Sequence, residues 1–298
     1  MKRSIKSVLN QTYKNFELIV VDDCSTDETQ EVINSFHDSR IRTIKHEHNK
    51  GVHISRNDGI KNAEGKFVAF LDDDDEWLSK KLENQVNLIK NDGENYGLIY
   101  SGYYQALNGK IVKKILPKYK GDVHKIIINR NILSCLTAFV RKECFEKVGY
   151  FEYMPAVEDW DMWIRISEFY KFDYLYEPLA IYHVHSEQVS VNVERLLIGH
   201  KIILLKYWKK WKEKPKYLIN HINAIGRLYL HLNRKKESKK WFVYSLKVKF
   251  FQKSFFLDLL VSRLLIRYFP HVFNPSKSTK NIIRITLDYL KKKVLSNF

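Results

Sequence analysis

Short apolar runs that stop at acidic residues, separated by amphipathic stretches, set the rhythm of the first 90 residues. Residues 2–10 carry Ile5, Val8 and Leu9 on one side and predict the end of a helix. Residues 16–21 (Phe-Glu-Leu-Ile-Val-Val) predict a buried strand closing on Asp22-Asp23. Ser25 or Thr26 is placed to cap a helix reaching about Phe36, with Asp27 and Glu28 in its first turn. A short strand at 40–45 and a helix at 53–63 follow. Residues 66–71 predict a second buried strand, which ends on Asp72, Asp73, Asp74 and Asp75 before a helix at 78–90. Strands alternating with helices of this length predict an α/β fold with a mainly parallel sheet covered on both faces. Ligands of such sheets bind at the carboxyl ends of strands, where both acidic clusters fall.

The rhythm changes after residue 96. Residues 97–107 and 110–116 flank Asn108-Gly109, a strong hairpin signal. A strand near 136–140, a helix from about 159 to 170, and strands near 172–176 and 179–185 follow. From 196 onward the pattern is helical, broken by Pro215, Pro270 and Pro275. Small Gly226 and Ser238 with aromatic Tyr229 and Phe242 outline a helical hairpin over 224–247; a single unit does not make a repeat array.

Charge divides the chain at the same place. Residues 201–298 hold 24 Lys+Arg against 4 Asp+Glu, whereas the first 200 hold 27 against 30, within a total of +17. The expected organisation is an α/β domain over 1–195 and a basic helical region over 196–298. That region invites contact with an anionic membrane surface. Nucleic acid is set aside because no recognisable binding module accompanies the charge. Cys24, Cys135 and Cys144 form no CxxC spacing, which suits a reducing cytoplasm. Residues 1–9 lack the apolar core of a secretory signal, and residues 255–269 are interrupted by Asp258, Arg263 and Arg267, so a cytoplasmic protein, at most peripheral on the membrane, is expected.

The four aspartates after the apolar strand carry the chemistry. Two unit charges about 4 Å apart repel by roughly 1 kcal/mol in water and about 4 at an effective dielectric of 20. A hard divalent cation shared with phosphate oxygens removes that cost, and this reading outweighs simple helix capping. Asp22-Asp23 ends a neighbouring strand and could accept hydrogens from a nucleotide. Glu158 and Asp159 open an amphipathic helix, where acids complement the helix dipole but could also supply a general base. His183 and His185 sit on a late strand. His46-Glu47-His48 has a metal-like spacing without a third partner and is discounted.

Five segments, in order, resemble glycosyltransferase family 2: Val20-Val21-Asp22-Asp23-Cys24-Ser25-Thr26-Asp27; Asn49-Lys50-Gly51 with Arg56-Asn57-Asp58-Gly59-Ile60; Phe70-Leu71 with the four aspartates, Glu76 and Trp77; Glu158-Asp159 with Trp163 and Arg165; and Tyr182-His183-Val184-His185 with Ser190. The resemblance implies a GT-A, Rossmann-like fold and an inverting transfer from a nucleotide-sugar, expected to be a UDP-sugar, to a glycan or lipid-linked acceptor in surface polysaccharide synthesis. It implies that Asp23, with Asp22 beside it, binds the base, and that Asp72 and Asp73 contact ribose and phosphate. Asp74 and His185 would hold Mn²⁺ or Mg²⁺, Arg56 and Glu158 would complete the substrate contacts, and Asp159 would be the general base. His183 stands where the family commonly has Arg. The family's usual first strand, of the type V-S-V-I-I-P-T-Y-N, has no counterpart in residues 1–11, so a truncated, inactive fragment serving as a binding module is the alternative expectation.

Overall fold

Helix α1 (Lys2–Leu9) precedes β1 (Leu18–Asp22), which pairs in parallel with β2 (Ile41–Lys45) across helix α2 (Thr29–Asn34). Helix α3 (Val52–Asn62) leads to β3 (Phe67–Ala69), and the chain turns through the aspartates into the two-residue strand β4 (Glu76–Trp77) and helix α4 (Lys81–Asn91). Next come β5 (Tyr96–Leu107), β6 (Lys110–Ile115), the one-turn α5 (His124–Ile127), β7 (Phe139–Arg141), α6 (Lys142–Val148), α7 (Glu158–Ile166) and β8 (Lys171–Val184). Helices α8 (Val193–Lys212), α9 (Pro215–His231) and α10 (Lys235–Phe250) complete the computed structural model, which describes residues 1–91, 96–185, 188, 192–212 and 214–250. Ser190, Pro270, Pro275 and residues 255–269 lie outside the described residues, as does everything after Phe250.

β1 and β2 form a two-stranded sheet; the larger sheet runs β3-β7-β5-β8-β4, with β6 also paired to β5. The α/β class holds, but parallel pairing among the described residues is confined to β1–β2 and β5–β8. The remaining pairs are antiparallel. Of these only β5 and β6 are joined by a tight turn, which can only return the chain antiparallel; the others bring together strands distant in sequence. Asn108 (φ 50°) and Gly109 (φ 75°) take the left-handed backbone that a two-residue hairpin requires.

Other expectations shift locally. Residues 172–176 and 179–185 belong to one strand, because Pro178 falls opposite Gly102 where the β5–β8 register slips, a place that tolerates a missing N–H. Helix α2 starts at Thr29, with Glu28 at its N-cap and no side-chain cap; Ser25 lies earlier, in the loop, its N–H held by the Asp22 carboxylate at 2.8 Å. The helix expected to reach 170 ends at Ile166.

An aromatic cluster fixes the face on which α3, α6 and α7 lie: the Phe70 ring meets Phe151 at 5.5 Å and Phe145 at 6.1 Å, both edge to face. The same core continues through Trp160 into Leu204, Tyr207 and Trp211 of α8 and Ile222 of α9, so the packing has no seam near residue 195. Helices α9 and α10 form the expected hairpin, with the Ser238 hydroxyl donating to the Gly226 carbonyl at 2.8 Å. No helix among the described residues is long and apolar enough to cross a membrane.

A buried ionic joint ties α7 to α8. The Asp161 carboxylate, 1% exposed, accepts from Arg165 Nε at 3.0 Å, Lys206 Nζ at 2.8 Å and the Tyr207 hydroxyl at 2.8 Å. Burial alone would raise its pKa, but Lys206 and Arg165 outweigh burial and hold it below the ordinary value. Asp161→Ala removes the carboxylate these cations share and is expected to cost about 3–5 kcal/mol, read as a lowered midpoint in urea unfolding.

Candidate active site

The two acidic clusters sit at the ends of β1 and β3, and each aspartate has a different setting. Asp22 is 2% exposed; its carboxylate takes the Ser25 N–H and, at 2.5 Å, the Gln30 side-chain amide, so it is engaged within the protein. Asp23 accepts the backbone N–H of Lys50 at 2.8 Å, that of Gly51 at 2.7 Å, and faces His46 Nδ1 at 2.7 Å. Those donors outweigh burial and keep its pKa low. His46 is itself 3% exposed and bridges on, through Nε2, to Asp58 at 3.1 Å. Sequence reasoning discounted His46; the available signal was its place at the end of β2, beside Asp23 in a parallel ladder.

Arg56 is the centre of the second cluster. Projecting from α3, it reaches Asp72 at 3.0 Å with one nitrogen and Glu158 at 2.5 Å with another, while its guanidinium lies 5.7 Å from the Phe151 ring centroid. Next to it Asn57, buried, exchanges two hydrogen bonds of 2.8 Å with the Phe151 backbone. Neighbouring residues of one helix therefore clamp the loop after β3 and the start of α7. Asn57 lay within a quoted motif, yet its partner was 94 positions away and could not be read from spacing.

Asp73 is largely exposed at its side chain, 69%; its carbonyl accepts from the Ser4 hydroxyl at 2.6 Å and from the Met1 ammonium, which also lies 4.0 Å from its carboxylate. Asp74 Oδ2 meets His185 Nε2 at 2.7 Å and accepts from Gln188 at 3.0 Å. Asp75 is fully buried: Oδ1 accepts the His183 N–H at 2.9 Å, and Oδ2 has no partner. Burial, followed by the charges of Asp74 and Asp72, pushes its pKa up to about 8. The His183 ring turns instead to Glu76 at 2.7 Å. The structure thus brings Asp74 and His185 together, while His183 on β8 pairs with Glu76 of β4 instead.

Helix α7 presents Glu158 and Asp159 in its first turn, after Val157 in the left-handed region (φ 62°, ψ 22°). A β-branched residue there is a genuine outlier, and the surroundings must enforce it. Gly199 of α8 presses on this turn: a Cβ at Gly199 would lie 2.5 Å from the Ala156 carbonyl oxygen and 2.9 Å from Val157 Cγ2. Asp159 Oδ1 takes the Trp160 N–H at 2.6 Å, whereas Oδ2 has only Asn131 at 3.4 Å. Desolvation and the adjacent Glu158 charge, opposed by Arg56, push Asp159 up to about 7.

A sequence profile of the family described as "Glycosyl transferase family 2" matches residues 1–149. The Escherichia coli "UDP-Glc:alpha-D-GlcNAc-diphosphoundecaprenol beta-1,3-glucosyltransferase WfgD" is 39% identical over 166 residues, 55% of this chain and 62% of that protein. The match therefore spans less than two thirds of that relative. The Escherichia coli enzyme of the same description designated WfaP is 33% identical over 202 residues, 67% of this chain and 78% of its own. Among solved structures, S. aureus TarS superposes with a TM-score of 0.57 at 22% identity, covering 87% of this chain and 47% of its own, a likeness of fold.

Asp159 is expected to titrate near 7, and Arg56→Met, which removes an opposing positive charge, to move it higher; carboxyl-carbon NMR against pH reads both. Because the folded pKa is raised, ionising Asp159 disfavours the folded state as pH climbs from about 4 through about 7. Asp159→Asn is then more stable relative to wild type at pH 8 than at pH 4, with an unchanged difference as the refuting result.

Proposed function

The chain belongs to glycosyl transferase family 2, and we propose that it transfers a sugar from a UDP-sugar to a hydroxyl of a lipid-linked or glycan acceptor, with inversion at the anomeric carbon. The observation that carries this reading is Arg56 spanning Asp72 and Glu158, which couples the loop expected to hold the donor to the helix expected to hold the base. The choice of donor and acceptor class is supported by the relatives WfgD and WfaP, whose names specify UDP-Glc and a diphosphoundecaprenol-linked GlcNAc.

Asp159 is the general base in this proposal. Its Oδ2 is the less engaged oxygen, and a pKa near 7 lets the carboxylate be populated at neutral pH while remaining basic enough to take a proton. The acceptor oxygen forms its bond to the anomeric carbon as the bond from that carbon to the diphosphate oxygen breaks, and the hydroxyl proton passes to Asp159 Oδ2. Asp23 is left with room for one further hydrogen on Oδ2, which suits a base N–H, while Asp22 holds the loop that carries it. Asp72, Asp73, Arg56 and Glu158 complete the donor contacts.

The residues present also suit a divalent ion. Asp74 and His185 face each other, and the unpartnered Asp75 Oδ2 lies next along the chain. No group of three potential metal-binding side chains is assembled among the described residues. One or two protein ligands, with phosphate oxygens and water filling the rest, is how Mg²⁺ is ordinarily held beside a diphosphate, and Mn²⁺ accepts the imidazole. Asp74 and His185 would hold the ion, which when bound would stabilise charge on the leaving diphosphate. In this reading the enzyme works at the cytoplasmic face of a membrane, with the basic C-terminal region against anionic lipid.

Asp159→Asn is expected to lower kcat by about 10²–10⁴-fold with nucleoside diphosphate affinity unchanged, and wild-type kcat/KM to rise with pH through a midpoint near 7. Full turnover by the variant would remove Asp159 from the base role. Asp74→Asn is expected to abolish the Mn²⁺ or Mg²⁺ dependence of nucleotide binding, measured by calorimetry with and without chelator.

A further inference from the structure

The β5–β6 hairpin is unlike the rest of the surface. Leu107, Ile111 and Val112 are 46%, 56% and 57% exposed, and every residue from Leu107 to Lys114 is exposed. Successive strand residues point to opposite faces, so Ile111 and Val112 being exposed together means that the ribbon stands clear of protein on both sides. Residues 95–121 contain Lys110, Lys113, Lys114, Lys118 and Lys120 and no Asp or Glu. Edge lysines alone would be explained as a guard against strand pairing. That role does not call for exposed isoleucine, valine and leucine at the tip.

The ribbon's position supplies the rest. β5 runs parallel to β8 with Ala106 opposite His183 and Leu107 opposite Val184, so the turn at Asn108-Gly109 emerges one strand away from His185, which meets Asp74. The apolar side chains lie within three residues of the turn, about 10 Å, and Lys113 and Lys114 come next. Lys110 has a stem long enough to lift its charge back past them.

We propose that the β5–β6 hairpin docks on an anionic lipid surface, with Leu107, Ile111 and Val112 among the acyl chains and the lysines at the lipid phosphates, so that the transfer site faces the membrane. An anionic bilayer is the occupant that this combination fits: it offers an apolar layer behind a negative one, in the order in which the ribbon presents its counterparts. The consequence for catalysis rests on the lipid-linked acceptor proposed above; the docking itself does not.

The full chain is tested by co-flotation with vesicles of phosphatidylglycerol and phosphatidylcholine against phosphatidylcholine alone. Wild type is expected to bind the anionic vesicles and to be released by salt. Lys113→Gln with Lys114→Gln should weaken binding by about twenty- to thirtyfold. Leu107→Ser with Ile111→Ser and Val112→Ser should weaken it by about tenfold or more, at unchanged far-UV circular dichroism. A polarity-sensitive dye on Ile111→Cys should shift to the blue on anionic vesicles, with dye-treated wild type correcting for Cys24. Undiminished binding by both variants with a silent dye would overturn the proposal and assign any membrane contact to another part of the chain. With acceptor in anionic vesicles the variants should lose transfer, while with a short-chain soluble acceptor they should match wild type. If no acceptor is used at all, the transferase reading fails while flotation and dye still decide the docking.

Discussion

Everything at the site depends on one cation placed among carboxylates. Asp72, Glu158 and Asp159 gather around Arg56, and like charges about 4 Å apart repel by about 4 kcal/mol once water is partly excluded. Arg56 answers this with a planar fork that gives one nitrogen to Asp72 and another to Glu158. A lysine would present a point charge without the planar fork that sets the direction of each bond. Neutralisation and positioning are thus the same interaction, and Asn57 beside it adds a neutral clamp on the Phe151 backbone.

The other end of that fork is held from behind. Helix α7 starts at Val157 in a conformation a β-branched residue avoids, and such strain persists only when surroundings over-determine it. Gly199 lets α8 approach the turn to a distance that a methyl group would forbid, and Asp161 ties the following helical turn to Lys206 and Tyr207 of the same α8. The basic region therefore begins inside the scaffold of the site. Its first helix contributes the counter-charge and the close contact that orient Asp159.

Much of this was legible from the residue pattern. Apolar runs closing on aspartates gave β1 and β3 and placed their acids at strand ends, and Asn108-Gly109 gave the hairpin. What escaped depended on partners distant in sequence. Asp22 and Asp23 look equivalent on paper, yet Asp22 caps its own loop while Asp23 collects donors from residues 46, 50 and 51. Four consecutive aspartates cannot be told apart by spacing; the β4–β8 pairing buries Asp75 while leaving Asp73 open to water. The antiparallel pairing of β7 with β3 and β5, and of β4 with β8, was likewise hidden, because a buried apolar run does not disclose the direction of its neighbour.

The family profile ends at residue 149, ten residues short of Asp159. In the reading proposed above, the aspartates before that boundary would meet a diphosphate, whose charge and geometry are the same for every sugar it carries. The loop holding Asn131 reaches Asp159 from the other side, its side-chain amide 3.4 Å from Oδ2. A base at Asp159 could serve such a donor only if it were fixed relative to the aspartates independently of the loops between them. The bond from Arg56 to Glu158 supplies that fixed link, joining residues 102 positions apart and bypassing the intervening hairpin.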